Sequence, residues 1–259
     1  MKSSLTSLTL VAGLFISGAA QATLIDRGGG LIYDDVLNIT WLQDANYAKT
    51  QYDNSGGALG DADGLMDWAS AKAWAANLSY YDSVRGVTYD DWRLPTMIDT
   101  GSLGCDWDYS GTDCGWNVQT HSAGTTYSEM AFMYYVNLGL KGEYSSAGDY
   151  QPDYGLWGNG TSNGFDGYFP GQRDIGLINN LQSFVYWSGL EYVPDTIFAW
   201  VFVFYGYQLT GFVIGEYNAW AVRPGDVAAA PAPSGVPEPT TVGLLALGLL
   251  GLGLTRRRG

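Results

Sequence analysis

Phe198-Ala199-Trp200-Val201-Phe202-Val203-Phe204-Tyr205 carries no polar residue among its first seven positions and ends on an aromatic ring. A strand with one wet face alternates apolar and polar side chains, so an unbroken apolar run reads as a central strand covered on both faces. Two further strand-like stretches, Phe184 to Tyr192 and Ala219 to Arg223, flank it and predict a late three-stranded meander. Two helices precede it. Leu65 to Leu78 puts Leu65, Trp68, Ala71, Ala75 and Leu78 on one face, with Asp61 or Asp63 to cap its start. Tyr127 to Leu138 follows the capping-box string Thr126-Tyr127-Ser128-Glu129 and stops at Gly139. Early helices and a late, small antiparallel sheet predict a loop-rich α+β domain. Leu24 to Tyr33 reads as strand, glycine turn and strand, and Asn38 to Leu42 as a short strand; Gln51 to Asp63 and residues 140–182 read as loop.

The 259-residue chain is 46% hydrophobic and only 15% charged, against about 25% for an average soluble protein. That apolar content excludes a disordered chain, and 36 glycines without a triplet period exclude collagen. Asp supplies 21 of the 26 acidic residues. Setting aside Lys2, the three terminal arginines and Glu238 leaves eight basic and 25 acidic residues, a net charge near −17. Such a charge repels nucleic acid and anionic lipid heads.

The two ends read as address labels. Residues 1–22 form a secretory signal: Lys2, an apolar stretch from Leu8 to Ile16, and the small-x-small site Ala20-Gln21-Ala22 with cleavage after Ala22. Residues 23–226 form one folded domain, and residues 227–235, VAAAPAPSG, an Ala/Pro linker. Residues 236–259 open with Val236-Pro237-Glu238-Pro239, run apolar from Val242 to Leu254 and end in Arg256-Arg257-Arg258. Thirteen residues at about 1.5 Å each give about 20 Å, short of the roughly 30 Å hydrocarbon core, which suits a transient transmembrane helix. The arginines should stay cytoplasmic, leaving the main domain outside. This order of parts resembles the PEP-CTERM sorting signal. The resemblance implies an exosortase-type enzyme that cuts near Pro237-Glu238-Pro239. It also implies a Gram-negative producer of extracellular polysaccharide, an inner-membrane-tethered precursor touching the membrane only through this tail, and a final place at the cell surface or in the matrix.

The main domain carries Asp67-Trp68-Ala69-Ser70-Ala71, then Asp91-Trp92-Arg93-Leu94-Pro95-Thr96, Tyr186-Trp187-Ser188-Gly189, Ala199-Trp200 and Trp220-Ala221-Val222-Arg223-Pro224. This order resembles the Lcl C-terminal-like domain family, and Arg-Leu-Pro-Thr is also found in the formylglycine-generating (sulfatase-modifying-factor) family. The resemblance implies a C-type-lectin-like α+β fold. The late cysteine pair that serves oxidation in the formylglycine-generating family is absent here, so that activity is not carried over. Sugar-binding lectin motifs are echoed only by Val193-Pro194-Asp195.

Chemistry-bearing residues are few. Cys105 and Cys114 are the only cysteines, and in an exported chain two cysteines pair as a disulfide; a free nucleophilic thiol would have only His121 as its base. Between them, Asp106, Asp108, Ser110 and Asp113, with Gly111 sixth in the run, match the start of a calcium loop, although position twelve is Asn117 and not Glu. No Gly-x-Ser-x-Gly turn supports a hydrolase triad. The expected domain is therefore non-enzymatic; paired carboxylates acting on polysaccharide are the enzymatic alternative. Trp68, Trp200, Val201 and Phe202 sit in periodic elements and read as core. Trp107, Trp116, Tyr150, Tyr154, Trp157, Tyr168 and Phe169 sit in Gly/Asp-rich loops, where exposed rings beside polar groups suit sugar stacking, with Trp107 and Trp157 as the foremost candidates. Arg93 reads as a structural arginine paired with a carboxylate. The expected role is a surface or matrix protein associated with exopolysaccharide, as in a biofilm, by glycan binding; the alternative is a structural or adhesive module that binds protein.

Overall fold

A computed structural model describes residues 23–101, 105–107, 111–163 and 171–227. The signal stretch with Ala22, the loop residues Asp108 and Ser110, Tyr168, Phe169, the linker after Val227 and the sorting residues Val236 to Arg258 lie outside the described residues.

The chain does not build the expected C-type-lectin-like α+β domain with two helices and one small sheet. The described residues form seventeen strands in five sheets of six, four, three, two and two strands. Their helices are three short ones, Tyr47–Ser55, Trp68–Ala76 and Glu129–Phe132, the last running on as the π-helix Met133–Asn137. Three local effects turn the balance toward β. Leu65 fits a helical period, but Gly64 stands at φ +80° before it and Leu65–Met66 is drawn into an edge strand against Tyr217–Asn218. The helix therefore starts at Trp68, capped by Asp67, whose carboxylate accepts from Ser70 N at 2.7 Å. Inside the stretch read as loop, Thr161–Ser162, Arg173–Ile175 and Ile178–Leu181 pair as a three-stranded sheet. Tyr207–Phe212 adds a strand after the apolar run. The stretch read as a 51–63 loop begins instead inside the helix Tyr47–Ser55, which ends at Gly56 in the left-handed region. The later helix is capped by Ser128 rather than Thr126: its Oγ accepts from Ala131 N at 3.1 Å.

The apolar run behaves as its composition requires. Phe198–Val203 lies inside the six-stranded sheet, antiparallel to Val185–Glu191 on one side and Tyr207–Phe212 on the other. Its side chains serve both faces: Phe202 and Phe204 pack with Tyr186, Trp220 and Leu156, while Ala199, Val201 and Val203 pack with Trp187, Leu94 and Ala75. Trp200 closes a third cluster with Met97 and Cys114. The sheet is mixed, because Tyr217–Asn218 pairs parallel to Val185–Glu191.

The four-stranded sheet joins the two ends of the described chain. Its order is Leu24–Asp26, Leu31–Asp34, Ile39–Leu42 and Val222–Pro224. Trp41, from the third of these strands, meets Trp220 at a tilt of 56° with ring centroids 4.7 Å apart, and the Trp220 indole N–H donates to Leu42 O at 2.7 Å. Arg27 closes the seam by a two-pronged contact with Asp226.

Asp91 to Thr96 ties several elements together. Arg93 exchanges backbone hydrogen bonds with Val222, N to O at 2.8 and 2.9 Å. Its guanidinium donates two bonds of 2.7 Å to the buried Glu129 carboxylate, which also accepts from Thr96 N at 2.7 Å. Arg93 is thus paired with a carboxylate, as its reading expects. It fastens the loop, the last strand and the start of the third helix to one another.

Candidate functional site

The loop aromatics converge. The strand Gly115–Trp116 pairs at the sheet edge with Tyr207–Phe212, placing Trp116 opposite Tyr207. The Cys105–Cys114 disulfide forms, and Asp106 N donates to Cys114 O at 2.8 Å, so the chain beside Trp107 is held against that edge. The Trp107 ring then lies edge-on to Trp116 at 6.0 Å and to Tyr207 at 5.9 Å. From Trp116 the series continues to Tyr144 at 5.2 Å, Tyr150 at 6.0 Å, Tyr154 at 6.1 Å and Trp157 at 6.4 Å. Trp107 and Trp157, fifty residues apart in the chain, are therefore the two ends of one aromatic stripe. Trp107 is 47% exposed and Tyr150 57%; Trp116 is buried as the base on which the others rest.

Backbone contacts hold the stripe's loop on the sheet. Glu143 N donates to Tyr205 O at 2.7 Å, Gln151 N to Glu143 O at 2.8 Å, and Gly155 N to Lys141 O at 2.9 Å and to the Tyr134 hydroxyl at 3.0 Å. Gly155 is a required glycine: at φ +55°, a Cβ there would stand 2.2 Å from Phe204 O.

One acidic group sits among these rings. Partial burial pushes the Glu143 carboxyl above the ordinary glutamate value. The Tyr154 and Tyr207 phenols are raised first by burial and further by the nearby Glu143 charge. Lys141 pairs with Asp153 at 2.6 Å along the same loop. Exposed ring faces with a carboxyl, an ion pair and the Gln151 amide beside them combine apolar stacking with hydrogen bonding, which is what a sugar ring presents in return. Glu143 and Tyr144 escape sequence reading, since a lone Glu and Tyr in a polar loop carry no spacing signal.

The other candidates are placed as follows. Asp113 is buried, its Oδ2 accepting from Thr100 N at 2.5 Å and Thr100 Oγ1 at 2.7 Å, while Oδ1 is buried without a hydrogen-bond partner. Among the described residues, no group of three or more His, Cys, Asp and Glu side chains is placed to hold a metal ion. His121 contacts Thr126 Oγ1 at 3.2 Å and the Phe132 ring, and Cys105 and Cys114 are joined to each other. Among the described residues, no helix is long and apolar enough to cross a membrane.

No curated protein and no solved structure matches the chain. Residues 235–258 match the PEP-CTERM protein-sorting motif, and nothing in the main domain matches the Lcl-like or lectin-like families that its sequence resembles. The chain thus carries the sorting signal of an exported protein whose C-terminal tail is processed by an exosortase-type enzyme.

Proposed function

We propose that this exported protein acts at the cell surface or in the extracellular matrix of a Gram-negative bacterium as a non-enzymatic binder of extracellular polysaccharide, through the stripe from Trp107 to Trp157. The observation that carries the reading is the stripe itself: six rings in contact order, two of them openly exposed, with the Glu143 carboxyl beside them. Exposed aromatic groups of this size cost solvation unless a partner covers them. The test is co-sedimentation of the exported protein with the producing cells' exopolysaccharide, in calcium and in EDTA. Retention in both, lost on Trp107→Ala combined with Tyr150→Ala, is the expected result. Loss in EDTA alone would assign a calcium-assisted mode to the Asp106–Asp113 loop, and no retention in either would refute the reading.

A second reading, an adhesive module, draws on a separate apolar group at two neighbouring turns. Val193, Ile197, Phe212 and Ile214 are 76%, 52%, 55% and 83% exposed, and Val213 N donates to Ile197 O at 2.9 Å. Self-association in sizing, abolished by Ile214→Asp, would favour it over glycan binding.

A further inference from the structure

A second cleft lies apart from the stripe. It has a volume of about 370 Å³, within the range of small-molecule sites, and is lined by one side of the helix Tyr47–Ser55 and by residues 79–81. Tyr47, Tyr80 and Tyr81 supply its aromatic walls, and Gln51, Asn54 and Ser79 supply polar groups. Tyr81 is 63% exposed and Leu59, at the rim, 58%. The Gln51 amide is oriented: its Oε1 accepts from the Trp74 indole N–H at 3.0 Å, which leaves its NH2 as a donor. The Tyr80 ring is fixed by its hydroxyl, which donates to Gly29 O at 2.7 Å, and stacks edge-on with Tyr47 at 5.3 Å. Among the described residues, none of the side chains lining the cleft is charged; the Asp44 and Asp82 carboxylates lie behind Tyr47 and Tyr80.

Topology sets it apart from the stripe. Trp74, which orients Gln51, belongs to the helix that follows Leu65–Met66, one edge of the six-stranded sheet. The stripe rests on Gly115–Trp116, the other edge. The two sites thus share no lining residue.

We propose that this cleft is a second binding site, for an uncharged hexose ring within a polysaccharide, so that one chain can hold two glycan strands at two separate sites. An oriented amide donor and tyrosine faces, with no charged side chain in the lining, suit a neutral ring whose one face is apolar and whose rim is hydroxyl. The site stands on its own residues; the two-strand consequence also rests on the stripe reading.

The test uses neutral oligosaccharides released by mild hydrolysis of the producing cells' exopolysaccharide, titrated into the exported protein with intrinsic fluorescence and calorimetry as readouts. Two equivalents per chain are expected. Tyr81→Ala combined with Gln51→Ala should weaken one of them about tenfold or more, the scale of one lost stacking and one lost hydrogen-bond contact, and leave the other unchanged. Tyr81 is exposed and the near-ultraviolet circular dichroism reports whether the variant stays folded. A single equivalent that only Trp107→Ala and Tyr150→Ala remove would overturn the cleft and leave the stripe standing. Two equivalents untouched by the stripe variants would overturn the stripe and leave a cleft site, and no binding at all would overturn both.

Discussion

Replacing Arg93 by Ala removes two hydrogen bonds of 2.7 Å from Glu129 and one of 3.0 Å from Leu94 O. The Glu129 side chain is 6% exposed and keeps only Thr96 N as a partner. Stripping one member from a buried pair costs about 3–5 kcal/mol, because the charge left behind is desolvated and unpaired. Arg93 itself is 38% exposed, so water enters the vacated space and restores part of the loss. The lower end, about 3 kcal/mol, is the expected cost. For a domain of this size that corresponds to a fall in Tm of about 6–12 °C. Urea unfolding of wild type, Arg93→Ala, Glu129→Ala and the double variant measures both the loss and the coupling. A coupling of about 2 kcal/mol is expected. A loss under about 1 kcal/mol with no coupling would refute the reasoning and put the pair with ordinary surface ion pairs.

Three further outcomes follow from the described contacts. Gly155→Ala forces a Cβ onto Phe204 O and adds the strain of φ +55°; it should cost more than about 2 kcal/mol and abolish polysaccharide retention, by releasing the Tyr154–Trp157 end of the stripe. Reducing the Cys105–Cys114 disulfide opens a loop with a sequence separation of 9. In the chain-entropy model this costs about 2.7 kcal/mol, read as a lower urea midpoint in dithiothreitol, with Trp107 fluorescence changing first. Stability should fall above pH 10. Burial holds Tyr80 up to about 12 and also raises Tyr134, Tyr135 and Tyr186. Between pH 10 and 12 the unfolded chain therefore loses protons that the folded chain keeps, and the balance shifts to the unfolded state. Unfolding midpoints that stay flat from pH 9 to 11.5, or phenolate absorbance appearing without unfolding, would contradict this.

The eight-residue run at Phe198 was legible because its burial is a property of one strand, and composition alone reports it. Leu24 to Leu42 was legible for a similar reason: Gly28, Gly29 and Gly30 all take positive φ between two short apolar stretches. The helix Tyr47–Ser55 is missed by sequence reading because its sequence, YAKTQYDNS, buries only Ala48 and offers no apolar stripe to read. The strand Leu65–Met66 was hidden because two residues can satisfy a helical period and a strand partner equally, and only Tyr217–Asn218, 150 residues on, decides between them. The sheet in residues 161–181 buries only Ile175, Ile178 and Leu181, while Asn163, Gln172, Asn180 and Gln182 bond one another beside them, so too few apolar positions alternate to read as strands. The family resemblance misled on fold because Arg93 and Glu129 make a latch that serves any loop crossing a helix start. In the site, sequence named Trp107, Trp116, Tyr150, Tyr154 and Trp157 one by one. Their contact order, and the part of Tyr144 and Glu143 in it, arises only when the 141–157 loop is tied to the turn at Tyr205.

The register of the four-stranded sheet has a mechanical consequence. Leu24 stands opposite Asp34, Asp34 opposite Ile39, and Ile39 opposite Pro224, so both ends of the folded chain leave from one row at the same rim. A pull applied to the chain beyond Asp226 acts along that exit. Tension arriving at Pro224 loads the ladder of Val222–Pro224 on Ile39–Leu42 from its end, an unzipping rather than a shearing load, until it reaches Val222, which Arg93 also holds. The Arg27–Asp226 contact and the 2.8 Å bond from Gly225 N to Asn38 O stand ahead of the strand in the line of force and break before any pair of the ladder. Behind it, the Trp220 stack on Trp41 forms the next barrier. The strand thus yields first at its exit, and the two backbone bonds between Arg93 and Val222 keep that first strain local.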